Sequence, residues 1–123
     1  MSPRGDIARL VKAIKYIHTI EKIIARHKNS LDALRDLEGQ PALLMCLIQI
    51  GELLNQLHDE SLINRLEVRK IVAFRNIVVH EYESVLIEKI NAILLQNLPQ
   101  LKKQLIIEIE NEPDFVDLLK LCE

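Results

Sequence analysis

A chain of 123 residues holds one domain with one buried core and leaves no room for several. Its hydrophobic share of 49% is mostly Leu and Ile, with 3% aromatic residues, no Trp and 3 Gly, which argues against sheet architectures and for an all-α domain. A net charge of −2 gives no global sign of nucleic-acid binding, no apolar run reaches the roughly 18 residues of a bilayer span, and the opening residues lack a signal-peptide core, so a cytoplasmic chain is expected.

The first helix is expected to start near Asp6, a plausible N-cap, with Ile7, Leu10, Val11, Ile14, Ile17 and Ile24 forming one buried stripe at three- and four-residue steps. Tyr16, His18 and His27 on or beside it read as packing or capping residues. Asn29-Ser30 ends this helix, a short helical turn follows over 31–37, and Gly39 stops it. Pro41 fits the first position of a second long helix, whose run from Ala42 to Leu57 is apolar nearly all round and therefore central or at an interface. Glu52 is the exception in that run. A carboxylate among Leu, Ile and Gly51 is costly unless paired, so it is expected to meet Arg75, Asn76 or a partner chain; the alternative is a surface Glu at the polar edge. Gly51 permits close approach of another helix.

Residues 58–61 read as a loop with Ser61 as a cap. A third helix is expected from about Leu62 through residue 82, burying Leu66, Ile71, Phe74 and Val78. A fourth starts near Ser84 and carries Leu86, Ile87, Ile90, Ile93, Leu94 and Leu98; Pro99 kinks or restarts it, and it continues to about Glu110. After Glu112-Pro113, a short terminal helix is expected over 114–121 with Phe115, Leu118 and Leu119 on one side. The whole is one domain over residues 1–123, an antiparallel bundle of four main helices plus short helical segments, with a core at about 7–110 and an acidic tail at about 111–123. Residues 108–123 hold six acids against Lys120, which leaves +3 for residues 1–107. Arg65, Arg69, Lys70 and Arg75 are candidates for a phosphate-attracting patch, with 65 and 69 on one helix face; the alternative is an ordinary solvated face. Cys46 and Cys122 belong to no metal-spaced pair and make no disulfide framework.

The stretch Arg75-Asn76-Ile77-Val78-Val79-His80-Glu81-Tyr82 carries the chemistry. Its apolar run must anchor in the core and fix the polar groups around it. Arg75 offers a planar fork of donors to phosphate oxygens, and His80 titrates near neutral pH and can move a proton. Together they point to phosphodiester chemistry, or at least to nucleotide binding. Arg75 and Tyr82, seven apart, share a face of an unbroken helix, whereas His80 lies about 140° round from Arg75. Either the helix loosens between Arg75 and His80, or a second chain completes the site.

The pattern Arg75-x-x-x-x-His80-x-Tyr82, with Asn76 after the Arg, resembles the motif of the HEPN superfamily, specifically its HepT-like toxins. Ile50-Gly51-Glu52-Leu53-Leu54 is similar to the family's Gly-Glu on the preceding helix, and Asn97-Leu98-Pro99-Gln100-Leu101 to its Leu-Pro-x-Leu, so the resemblance covers roughly residues 7–105. It departs from many relatives in having no aromatic on the helix before the motif; Phe74 is the nearest.

No Walker or dinucleotide glycine pattern is present, and no Asp, Glu or His cluster has metal-ligand spacing; His80-Glu81 is not followed by the second His of a zinc helix. What remains is metal-independent cleavage of RNA by its own 2′-hydroxyl. That reaction needs a base at the 2′-oxygen, an acid at the leaving 5′-oxygen and positive charge on the phosphorane. The resemblance implies a homodimer with facing motifs. Arg75 would then bind the phosphate, His80 would transfer the proton or orient the 2′-hydroxyl, Asn76 and Glu52 would support them, and Arg65, Arg69 and Lys70 would contact RNA. It also implies a toxin paired with an MNT-type nucleotidyltransferase antitoxin that uses ATP to attach AMP to Tyr82; the chain itself is expected to need no cofactor. Two alternatives remain: a non-catalytic HEPN subunit that binds nucleotide or supports a nucleotidyltransferase, and a plain dimeric helical adaptor.

Overall fold

The computed structural model describes residues 4–81 and 87–112, without the side chains of residues 4, 77, 80 and 81. Every regular element among the described residues is helical: α1 (Arg4–Ala25), α2 (Ser30–Arg35), α3 (Gly39–Asn55), α4 (Glu60–Arg65), α5 (Val68–Glu81), α6 (Ile87–Ala92) and α7 (Leu98–Glu110), with a wide π turn at Ile93–Asn97 joining the last two. The all-α fold is the one expected from composition. None of these helices is long and apolar enough to cross a membrane.

The core forms where the apolar stripes meet. Ile7, Leu10, Val11, Ile14 and Ile17 of α1 are buried as their spacing requires, against Leu43, Leu47, Ile50 and Leu54 of α3. Helix α3 packs on α1 on one side and on α5 on the other, and α7 packs on α1 through Leu98, Leu101, Leu105 and Ile109. The expected central position of α3 is therefore what the chain adopts. Leu66 and Val78 are buried, while Ile71 and Phe74 are half-buried.

Four local expectations are corrected. Asp6 does not cap α1, which begins at Arg4. Its fully buried carboxylate instead accepts the backbone N–H groups of His58 (2.9 and 3.0 Å) and Asp59 (2.8 Å) and pairs with Arg9, so it fastens the α3–α4 loop to the first turn of α1. Gly39 starts α3 rather than ending α2. Asp36 accepts its N–H at 2.7 Å, a Cβ there would collide with the Ala33 carbonyl, and Pro41 lies two residues inside the helix. Asp59, not Ser61, caps α4: its carboxylate accepts from Ser61 N at 3.0 Å.

The fourth correction bears on the site. The third helix is not continuous from Leu62, because the chain turns at Leu66-Glu67 and Glu67 adopts a left-handed φ of 53°. Pro99 does restart the last helix, in the first turn of α7 where its missing N–H is tolerated, and it follows a π turn closed by Leu98 N–H donating to the Ile93 carbonyl. The expected start of the fourth helix near Ser84, Leu86 and the terminal helix at 114–121 lie outside the described residues.

Candidate active site

Helix α5 runs without interruption from Val68 to Glu81 and carries the motif from Arg75 to Glu81. Its inner side is fixed by Val78, which is buried, and by Arg75, whose side chain is 17% exposed. The outer positions Arg69, Ala73 and Asn76 face solvent.

Gly51 is why Arg75 can lie where it does. A Cβ on Gly51 would stand 2.7 Å from both Cβ and Cγ of Arg75, so only glycine lets α5 press its arginine stem onto α3. One residue further along α3, the Glu52 carboxylate accepts a hydrogen bond from Arg75 Nη1 in an ion pair. Of the three partners considered for Glu52, it meets Arg75. The pair is half-buried, with Glu52 40% exposed, and Arg75 Nε is buried with no hydrogen-bond partner among the described residues. A guanidinium held this way has one donor committed and still offers N–H groups on its fork.

Because α5 is unbroken, the backbone position of residue 80 lies about 140° round the axis from residue 75, in register with Arg69, Ala73 and Asn76. The first of the two alternatives, a helix loosened between Arg75 and His80, is thereby removed. The His80 imidazole and all of Tyr82 lie outside the described parts of the structure.

The basic candidates separate. The turn at Leu66-Glu67 puts Arg65 on α4 and Arg69 on α5, so they do not share a face of one helix. Arg65 is committed to Glu108 of α7 at 3.0 Å, and that hydrogen bond holds its pKa above the ordinary value. Lys70 pairs with Glu67 at 3.4 Å on the surface. Arg69 makes no ion pair among the described residues.

Two grooves flank α5. One, of about 250 Å³, lies towards α7 between Ile50, Lys70, Phe74 and Leu101, so Phe74 serves this side. The other, of about 350 Å³, lies between the end of α3, α4 and the outer side of α5 and includes Arg69 and Asn76. Its walls meet only because the chain turns at Glu67, a turn that no Gly or Pro in the sequence marks. Among the described residues, no group of three His, Cys, Asp or Glu side chains is placed to hold a metal ion.

A family model described as "Ribonuclease HepT-like" matches residues 13–107, a span that contains Gly51, Glu52, the whole of α5 and the Leu98-Pro99 restart. No curated protein and no solved structure matches the chain.

Proposed function

The chain belongs to the HepT-like ribonuclease family of the HEPN superfamily, and from that premise we propose that it cleaves RNA at a site shared by two copies of itself. The observation that carries this reading is the Arg75 guanidinium, held against Gly51 by Glu52 on a rigid two-helix contact. A cation fixed in place before substrate arrives stabilises developing phosphorane charge without reorganising.

In this reading the 2′-oxygen attacks the adjacent phosphorus and the bond from phosphorus to the 5′-oxygen breaks, leaving a 2′,3′-cyclic phosphate and a free 5′-hydroxyl. His80 of one copy takes the proton from the 2′-hydroxyl or orients that group, His80 of the second copy gives a proton to the leaving 5′-oxygen, Arg75 neutralises the phosphorane and Asn76 steadies the scissile phosphate. One imidazole cannot serve both ends of an in-line displacement, and the unbroken α5 separates positions 75 and 80 around one helix. A two-fold pair of chains supplies two histidines and two arginines to one cleft. The protein is then the toxin of a toxin–antitoxin pair, with an MNT-type nucleotidyltransferase that attaches AMP to Tyr82. Bulk and negative charge beside the motif exclude RNA.

The test is cleavage of single-stranded RNA by purified protein. Arg75→Ala and His80→Ala are each expected to lower the rate at least a hundredfold without changing the mass measured by light scattering. Wild-type cleavage rates in both variants would remove the assignment. Mass spectrometry after co-expression with the nucleotidyltransferase should find the AMP adduct on Tyr82; a neutralised toxin with Tyr82 unmodified would mean inhibition by direct binding.

A further inference from the structure

The groove between α3, α4 and α5 has a composition that selects its ligand. Leu54, fully buried, and Val72, half-buried, supply an apolar interior, while Asn55, Glu60, Arg69 and Asn76 line it with exposed polar side chains. A bare phosphate suits it poorly, because Glu60 repels the charge that Arg69 attracts. A purely apolar ligand would leave four polar groups facing hydrocarbon. A planar heterocycle satisfies both parts, with faces for the apolar interior and edges rich in donors and acceptors. Among the bases, guanine presents O6 and N7 acceptors to an arginine and N–H donors to a carboxylate.

The groove also lies in the right place. Asn55 is three residues from Glu52 on α3, and Val72 three residues from Arg75 on α5, so along the helix axes the groove is offset from the ion pair by about one turn, roughly 5 Å. A nucleotide whose phosphate rests on Arg75 spans that distance with its base. Asn76 belongs to both places, following Arg75 in the motif and lining the groove.

We propose that this groove is a nucleobase subsite that takes an unpaired guanine next to the scissile phosphate, with Arg69 donating to its O6/N7 edge and Glu60 accepting from its N–H groups. The proposal rests on the nuclease reading for the location of the phosphate, and it gives the enzyme a preference for where it cuts.

The test is fluorescence-anisotropy binding of uridine hexanucleotides carrying one central G, A, C or U, to the wild type and to Glu60→Gln and Arg69→Gln. Both side chains are exposed, so both variants should fold. The wild type is expected to bind the G-containing strand about tenfold more tightly than the others, and each variant to lose that preference, Glu60→Gln while binding the all-U strand within about twofold of wild type and Arg69→Gln with the G strand weakened more than the all-U strand. Equal binding of all four strands by the wild type, or no binding, overturns the proposal. So does a uniform loss with Arg69→Gln and a uniform gain with Glu60→Gln, which would make them simple phosphate-sensing charges. A changed oligomeric mass in both variants with the guanine preference intact would assign the groove to a contact between copies. Failure of the nuclease reading shows differently, as guanine-selective binding by a wild type that cuts no RNA.

Discussion

Gly51 and Glu52 set what Arg75 can do, and each makes a distinct demand. Gly51→Ala would drive a methyl group into the Cβ and Cγ of Arg75, atoms too near the backbone to swing away, so α3 and α5 must part. A loss of about 1–3 kcal/mol is expected by chemical denaturation, with RNA cleavage reduced further than stability explains because the guanidinium moves. An unchanged midpoint would show that the two helices are not in close contact. Cys46 is a quieter residue: it is buried, its thiol pKa is raised by that burial, and it should resist alkylation at neutral pH until the chain unfolds. Peptide mapping after a brief pulse of iodoacetamide checks this, and rapid labelling of Cys46 in the native protein would contradict it. At this scale the sequence was informative where a residue clashed with its neighbours. Glu52 stood out because a carboxylate in an apolar run must find a partner. Asp6 did not, because an acid at a helix start has an ordinary explanation as a cap, and its actual partners, His58 and Asp59, are some fifty residues away.

The elements show the same division. The stripe of α1 and the apolar girth of α3 could be read because hydrophobic period and burial are the same signal seen twice. The break between α4 and α5 could not, since neither Gly nor Pro marks it. Glu67 carries the turn in a left-handed conformation that costs a non-glycine residue about 1–2 kcal/mol, against about 0.5–1 kcal/mol of extra chain entropy for glycine. Glu67→Gly is therefore expected to raise stability by about 0.5–1 kcal/mol, the surface pair with Lys70 being worth little. A lower denaturation midpoint would contradict the strain. The shared face of 65 and 69 fails for the same reason, because a continuous helix would align them and the turn does not. Of the motif, the helix and the Arg75–Glu52 contact were accessible from spacing and burial; the groove beside it depends on how three helices meet, which no local pattern encodes.

For the molecule as a whole, acid should act through the fixed carboxylate of Asp36. Asp36 is held below the ordinary carboxylate range by the N–H groups of Gly39 and Glu38, helped by the nearby His27, while partial desolvation opposes them. A depressed folded-state pKa contributes stability that is complete above the unfolded value of about 4 and disappears as pH falls through the folded one. Asp36→Asn should accordingly be less stable than wild type at pH 6, with the gap closing below about pH 4 in urea titrations; a gap independent of pH would mean the carboxylate's charge is not what matters. The anchoring of Asp6 reaches further. The two N–H groups it receives belong to the residues just before Glu60, and so to the segment that leads into one wall of the outer groove. Asp6→Ala would cut a mooring line: the segment would drift, and its consequences would surface not near the start of the chain but in which RNA bases the protein prefers.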